Sequence, residues 1–154
     1  MIVPQYYEDP QLLHENTMPD RCYYIPASQR QAAGARETSD RFQLLNGRWR
    51  FRYFPSIYDL QDEFFAPDYA AEGFSSVPVP GLWQTYGCEI PQYINIRFPF
   101  PFDPPFVPHD NPCGAYLHTF DYQQDEQAPH VFLNFEGVDS CFYVWINGDY
   151  IGYS

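Results

Sequence analysis

From Gly81 to Pro112 the chain carries seven prolines: Pro91, Pro99, Pro101, Pro104, Pro105, Pro108 and Pro112. Each removes a backbone donor and fixes φ, so neither a helix nor a central strand can run through the stretch. Trp83, Tyr86, Tyr93, Phe98, Phe100, Phe102 and Phe106 are interleaved with them. That aromatic content argues against a disordered linker. An ordered loop of about thirty residues inside a compact domain is usually functional. Its backbone groups cannot enter a ladder, so side chains must pin it.

The flanking segments read as strands. Trp49, Phe51 and Tyr53 alternate with Arg48, Arg50 and Arg52, which predicts a half-buried strand with a wet, basic face. Asn46-Gly47 before it is a turn signal. Tyr116, His118 and Phe120 alternate with Ala115, Leu117 and Thr119. Asn147-Gly148 suits a type I′ hairpin between two further strands. Antiparallel strands are therefore expected near 48–54, 115–122, 130–135, 141–146 and 149–153, with less than about a tenth helix. Residues 64–76 read as a turn and a short segment leading to Val77-Pro78-Val79-Pro80. Residues 29–37 are the one stretch that could form a short helix, and Gly34 weakens it.

Residues 1–40 are polar and lack a clear period. They read as an extended N-terminal arm that lies on other surfaces and builds no core of its own. Residues 41–154 then form the domain. Tyr150 to Ser154 starts a returning strand that needs partners beyond it. An incomplete all-β fold, part of a much longer protein, is expected.

A chain of 154 residues is long enough for one domain with a real core. Aromatics make up 20% of it, mostly to pack, with sugar stacking as their other use. The net charge is -12, and arginine supplies all eight fixed cations. Nucleic acid and anionic membrane surfaces both require a basic face, so neither is expected as a partner. No apolar run is long enough to span a bilayer. Met1 is followed by neither a basic nor an apolar leader region, which favours a cytoplasmic location. Cys22, Cys88, Cys113 and Cys141 have no C-x-x-C spacing, so zinc is not expected and free thiols are.

No nucleophile-elbow, zinc-protease or phosphate-loop motif occurs. His14, His109, His118 and His130 are scattered and read as surface or core residues. Glu89, Asp103, Glu136 and Asp139 lie near loops and are candidates for paired-carboxylate acid–base chemistry by composition alone. Turn chemistry explains them as well. No catalytic residue and no metal ligand is assigned.

Trp83-Gln84, Gly87-Cys88-Glu89 and Pro91-Gln92-Tyr93-Ile94-Asn95-Ile96-Arg97-Phe98-Pro99 occur in that order, followed by Phe135-Glu136-Gly137-Val138 and Trp145-Ile146-Asn147-Gly148. The order resembles the N-terminal sugar-binding jelly roll of glycoside hydrolase family 2 β-galactosidases, over roughly residues 40–154 and more weakly over 6–30. The resemblance implies a galactose-binding-domain-like jelly-roll β-sandwich. It implies an enzyme that hydrolyses terminal β-galactosides with retention, its two glutamates on a later barrel domain. It implies magnesium and sodium for the full-length enzyme, with none held by this chain. The remaining domains of the enzyme and further subunits of a homo-oligomer would be its partners. The family's Asn in P-x-Y-T-N-x-x-Y-P reaches into the barrel's active site and hydrogen-bonds the galactosyl unit. Here that residue is Asn95, and Ile96 would wall the same pocket. Ile94, Glu89 and Phe98 depart from the family's Thr, Asp and Tyr. Two rival readings remain, a free-standing carbohydrate-binding module and a purely structural piece that contacts a partner subunit.

Overall fold

The computed structural model describes residues 2–30, 39–96, 98 and 100–154. Most of the expected helix at 29–37 lies outside them. The described residues contain strands and short 3-10 turns but no α-helix. The strands are β1 (Gly47–Phe54), β2 (Ser75–Val79), β3 (Cys113–Leu117), β4 (Tyr143–Ile146) and β5 (Asp149–Tyr153). β1 is the centre of an antiparallel three-stranded sheet in the order β2-β1-β3, and β4 and β5 form a hairpin. This is the all-β, antiparallel organisation expected, consistent with a β-sandwich.

Registration places Trp49 opposite Val77, and Phe51 opposite both Ser75 and Tyr116. These residues share one face of the sheet. Phe51 is 2% exposed there, with the Tyr116 ring 4.6 Å away and the Tyr86 ring at 6.3 Å. Burying a phenyl ring of this size contributes about 2–3 kcal/mol.

The arginine face departs from expectation. Arg48 and Arg50 are exposed, but the main core lies on their side of the sheet. Phe54, Ala115, Val3, Ile57, Leu60 and Phe64 form it, with Cys113, Leu117, Tyr143 and Trp145 packed against them. Arg52 lies opposite Ala115 and covers the rim of this core. Its guanidinium sits 4.8 Å from the Phe54 ring centroid and 3.6 Å from Asp62 Oδ2. A long arginine stem can cover apolar surface while its head stays wet. Strand β1 is thus packed on both faces at its C-terminal end.

The β4–β5 hairpin turns as its sequence predicts, with Asn147 at φ 53° and Gly148 at φ 91°. Both values suit a type I′ turn. Trp145 stacks on Phe65 at 5.0 Å and meets Phe64 edge-on at 5.6 Å. Residues of the N-terminal arm lie along this hairpin. Val3 enters the core, and Tyr6 contacts the rings of Tyr143 and Tyr153. Glu15 N–H donates to Tyr153 O at 2.9 Å, and Tyr153 N–H donates to Glu15 O at 3.1 Å. Tyr153 is therefore paired on both sides, by Tyr143 and by Glu15. The start of the chain thus supplies a partner for one residue of the returning strand, through an isolated bridge at Glu15.

Four strand expectations differ from the structure, the smallest at β4, which begins at Tyr143 and not at residue 141. Residues 75–79 form β2 although Pro78 lies within it. β2 is an edge strand, where a missing donor is tolerated. β3 ends at Leu117, and the His118 ring leaves the ladder to stack on Trp49 at 4.7 Å. Residues 130–135 form no strand, and Val131 and Phe132 are exposed. Alternation supplies a face but not a ladder partner, and none of the described strands pairs there.

Burial raises the Tyr143 phenol above its ordinary value, and raises Tyr153 to about 12 with the Cys141 charge adding to it. The folded chain then holds these protons more tightly than the unfolded chain, whose tyrosines titrate near 10. Their stabilisation is complete below pH 10 and is lost as pH rises towards about 12. Circular dichroism should show an alkaline unfolding transition in that window. Replacing both phenols by Phe should move it to higher pH; an unmoved transition would assign it to other groups.

Candidate functional site

The proline-rich loop leaves the sheet after β2 and returns at β3. Its first foot is the 3-10 turn Trp83–Tyr86, closed by Gly87 at φ 79°. A left-handed residue here lets Gly87 N–H reach Gln84 O, and glycine adopts it without strain. Trp83 sits over Gly114 and meets the Tyr53 ring edge-on at 5.6 Å. A Cβ on Gly114 would lie 2.6 Å from the Phe51 ring and 3.1 Å from that of Trp83. The absent side chain is what admits both rings. Tyr86 donates its hydroxyl to Pro78 O, fastening the turn to β2.

Glu89 closes this foot. Its Oε2 accepts from Trp83 Nε1 at 2.9 Å and from Gln84 Nε2 at 3.3 Å. Burial raises the Tyr53 phenol above its ordinary value, and the negative charge of Glu89 adds to the effect. The second foot is tied differently. Val107 N–H donates to Glu8 Oε1 at 3.0 Å, and Ile57 N–H donates to Asn111 O at 2.8 Å. Ser56 Oγ donates to His109 O. Side chains thus pin both feet, as the proline count requires.

Between the feet the loop is open to solvent. Tyr93 is 79% exposed and Ile96 is 86% exposed; Asn95 is exposed between Ile94 and Ile96. Phe98 and Phe102 hold each other at 5.0 Å but are exposed as well. Arg97 and Pro99 lie outside the described residues. Among the described residues, none makes a hydrogen bond with the Asn95 side chain. The structure thus places the two sequence-selected site residues, Asn95 and Ile96, side by side on an exposed bend.

Two of the four loop carboxylates have local partners. Glu89 holds Trp83 and Gln84, and Glu136 accepts from the Asn134 amide. Asp103 closes a turn through its carbonyl, which accepts from Phe106 N–H. Asp139 is exposed. The histidines lie apart: His14 bonds Ser154, His109 contacts Tyr58, and His118 stacks on Trp49. Among the described residues, no group of three or more His, Cys, Asp or Glu is placed to hold a metal ion. The four cysteines form no disulfide. Desolvation pushes the Cys113 thiol up to about 12, with Asp59 adding to it.

The role of Glu89 was not legible in the sequence. The available signal was the spacing of Trp83, Gln84 and Glu89 around a turn-forming glycine.

Comparison with known proteins bears on the same segment. The model of the glycosyl hydrolases family 2 sugar binding domain matches residues 42–154. The chain is 49% identical to a β-galactosidase of Actinobacillus pleuropneumoniae, over 100% of this chain and 15% of that protein. It is 41% identical to a β-galactosidase of Staphylococcus xylosus, with the same two coverages. A β-galactosidase of Priestia megaterium is 34% identical over 98% of this chain and 15% of its own length. The chain thus spans about 15% of the length of these relatives.

Proposed function

Since the chain belongs to the sugar-binding domains of the family 2 glycosyl hydrolases, we propose that it is the N-terminal sugar-binding segment of a β-galactosidase. The observation that carries the reading is the loop, fixed at both feet and bare at Asn95 and Ile96. The whole enzyme hydrolyses terminal non-reducing β-D-galactosides with retention, on two carboxylates of a later barrel domain. This segment buttresses the barrel and lends the loop to the galactose subsite. The Asn95 amide donates through Nδ2 and accepts through Oδ1, which suits a pair of adjacent hydroxyls. Ile96 walls the same pocket. Magnesium and sodium belong to the full-length enzyme. The residues described here do not make a cluster for either ion, and no step is derived through them. We place the enzyme in the cytoplasm as a homo-oligomer.

Asn95→Ala in the whole enzyme tests the reading. The lost bond costs about 1 kcal/mol, and more if it leaves a buried hydroxyl unpaired. A contact that tightens in the transition state would lower kcat/KM about tenfold for each 1.4 kcal/mol. The melting temperature should hardly move, since the side chain is exposed. Full activity with a large drop in melting temperature would make Asn95 a turn residue instead. The 154-residue chain alone should not hydrolyse a chromogenic β-galactoside, and turnover that dies on substituting Glu89 or Glu136 would overturn this.

One observation favours the rival reading of a free-standing binding module. Tyr93, Phe98 and Phe102 are exposed on the loop, as stacking platforms would be. Titration of the chain with galactose and lactose separates the two. A dissociation constant below about 1 mM would support the module.

A further inference from the structure

We propose that Glu89 is a positioning residue for the loop that carries Asn95. The inference rests on the reading that Asn95 contacts the sugar. Glu89 is separated from Asn95 by five residues, Ile90 to Ile94, and none of those residues has a side-chain hydrogen bond to the described fold. The last side-chain tether before the bare segment is therefore the Glu89 carboxylate. It draws the outgoing chain back to Trp83 and Gln84, whose own place is set by the packing of Trp83 over Gly114. The direction in which residues 90–96 leave the sheet follows from that closure. Without it the chain after Gly87 is held to the turn by the backbone bond from Cys88 N–H to Trp83 O, 3.3 Å long, and by the Gly87 cap.

The chemistry of the closure is specific. Both donors converge on one oxygen, Oε2. A glutamine whose carbonyl oxygen takes that place satisfies both, while leucine satisfies neither. The charge strengthens the bonds but is not required for the geometry. The site is partly buried, so a leucine also leaves the Trp83 and Gln84 donors poorly paired. Misplacing a contact group by about 1 Å is enough to cost up to about a hundredfold in rate. The role of Glu89 is to prevent that, without touching substrate.

Two measurements test this. In the whole enzyme, amide exchange over residues 90–96, read by mass spectrometry, reports the closure. Glu89→Leu should speed it, and Glu89→Gln should restore it. In the whole enzyme, Glu89→Leu should lower kcat/KM about tenfold, and Glu89→Gln should stay within about threefold of the wild type. In an Asn95→Ala background, Glu89→Leu should cost less than about twofold, because residues that act through one contact are not additive. Trp83→Phe puts a smaller aromatic ring in place of the indole and deletes one donor. It should show a smaller loss with the same dependence on Asn95, should Glu89→Leu fail to fold. Full additivity with Asn95→Ala, or failure of glutamine to rescue, would overturn the proposal and leave the Asn95 reading intact. A silent Asn95→Ala would sink that reading, and the proposal with it.

Discussion

Gly152→Ala should cost about 3 kcal/mol and release the N-terminal segment from the β4–β5 hairpin. A Cβ on Gly152 would lie 2.4 Å from Glu15 O and 3.3 Å from Asn16 Cβ. Glu15 O is backbone and is also the acceptor for Tyr153 N–H, so it cannot move aside without breaking that bond. The neighbouring ties would go with it: Asn16 Nδ2 to Ile151 O at 3.0 Å, and the Tyr150 hydroxyl to Glu15 Oε2 at 2.6 Å. Urea unfolding would give the loss, and amide exchange at Glu15 and Tyr153 would give its place. Exchange at those two amides as slow as in the wild type would show that the bridge survives and that the clash relaxes elsewhere.

Phe51→Ala should be more damaging still, at about 4 kcal/mol. Phe51 is the largest fully buried side chain among the described residues, and it holds the sheet face on which the loop's first foot rests. Its removal opens a cavity between Tyr116, Tyr86 and the ring of Trp83 over Gly114. A domain of this size is usually only about 5–15 kcal/mol stable, so the variant loses a large share of its margin and still folds. The melting temperature should fall by about 10 °C. Phe51→Leu keeps most of the volume and should cost about 1–2 kcal/mol. Equal losses for the two variants would mean that ring contacts matter there, rather than volume.

Much of this fold is legible in the sequence, for reasons that can be named. Alternation of arginine with aromatics fixes β1, and Asn147-Gly148 fixes the hairpin, because both signals are local. β2 is hidden by Pro78, since proline argues against a strand unless the strand is known to be an edge. Residues 130–135 show the converse, because their pattern describes a strand and says nothing of a partner. The wet face assigned to Arg48, Arg50 and Arg52 fails at Arg52. Which side of a sheet meets the core depends on Phe54, Ala115 and segments far away in sequence. At the site, Asn95 and Ile96 are found by resemblance and lie exposed. The shared acceptor of Trp83 and Gln84 needs a folded turn to be seen.

The ties between the two ends of the chain also order its folding in time. Asn16 bonds Ile151 across 135 residues of sequence, and His14 bonds Ser154 across 140. On a ribosome adding about 5–20 residues each second, the first sixteen residues wait on the order of ten seconds for their partners. The β1-centred sheet can assemble earlier, since its last strand ends at Leu117. The exposed Tyr6, Tyr7 and Val3 of the nascent chain are therefore available to chaperones or to other chains for the whole interval. Slowing translation between codons 118 and 153 should raise aggregation more than the same pause placed before codon 47.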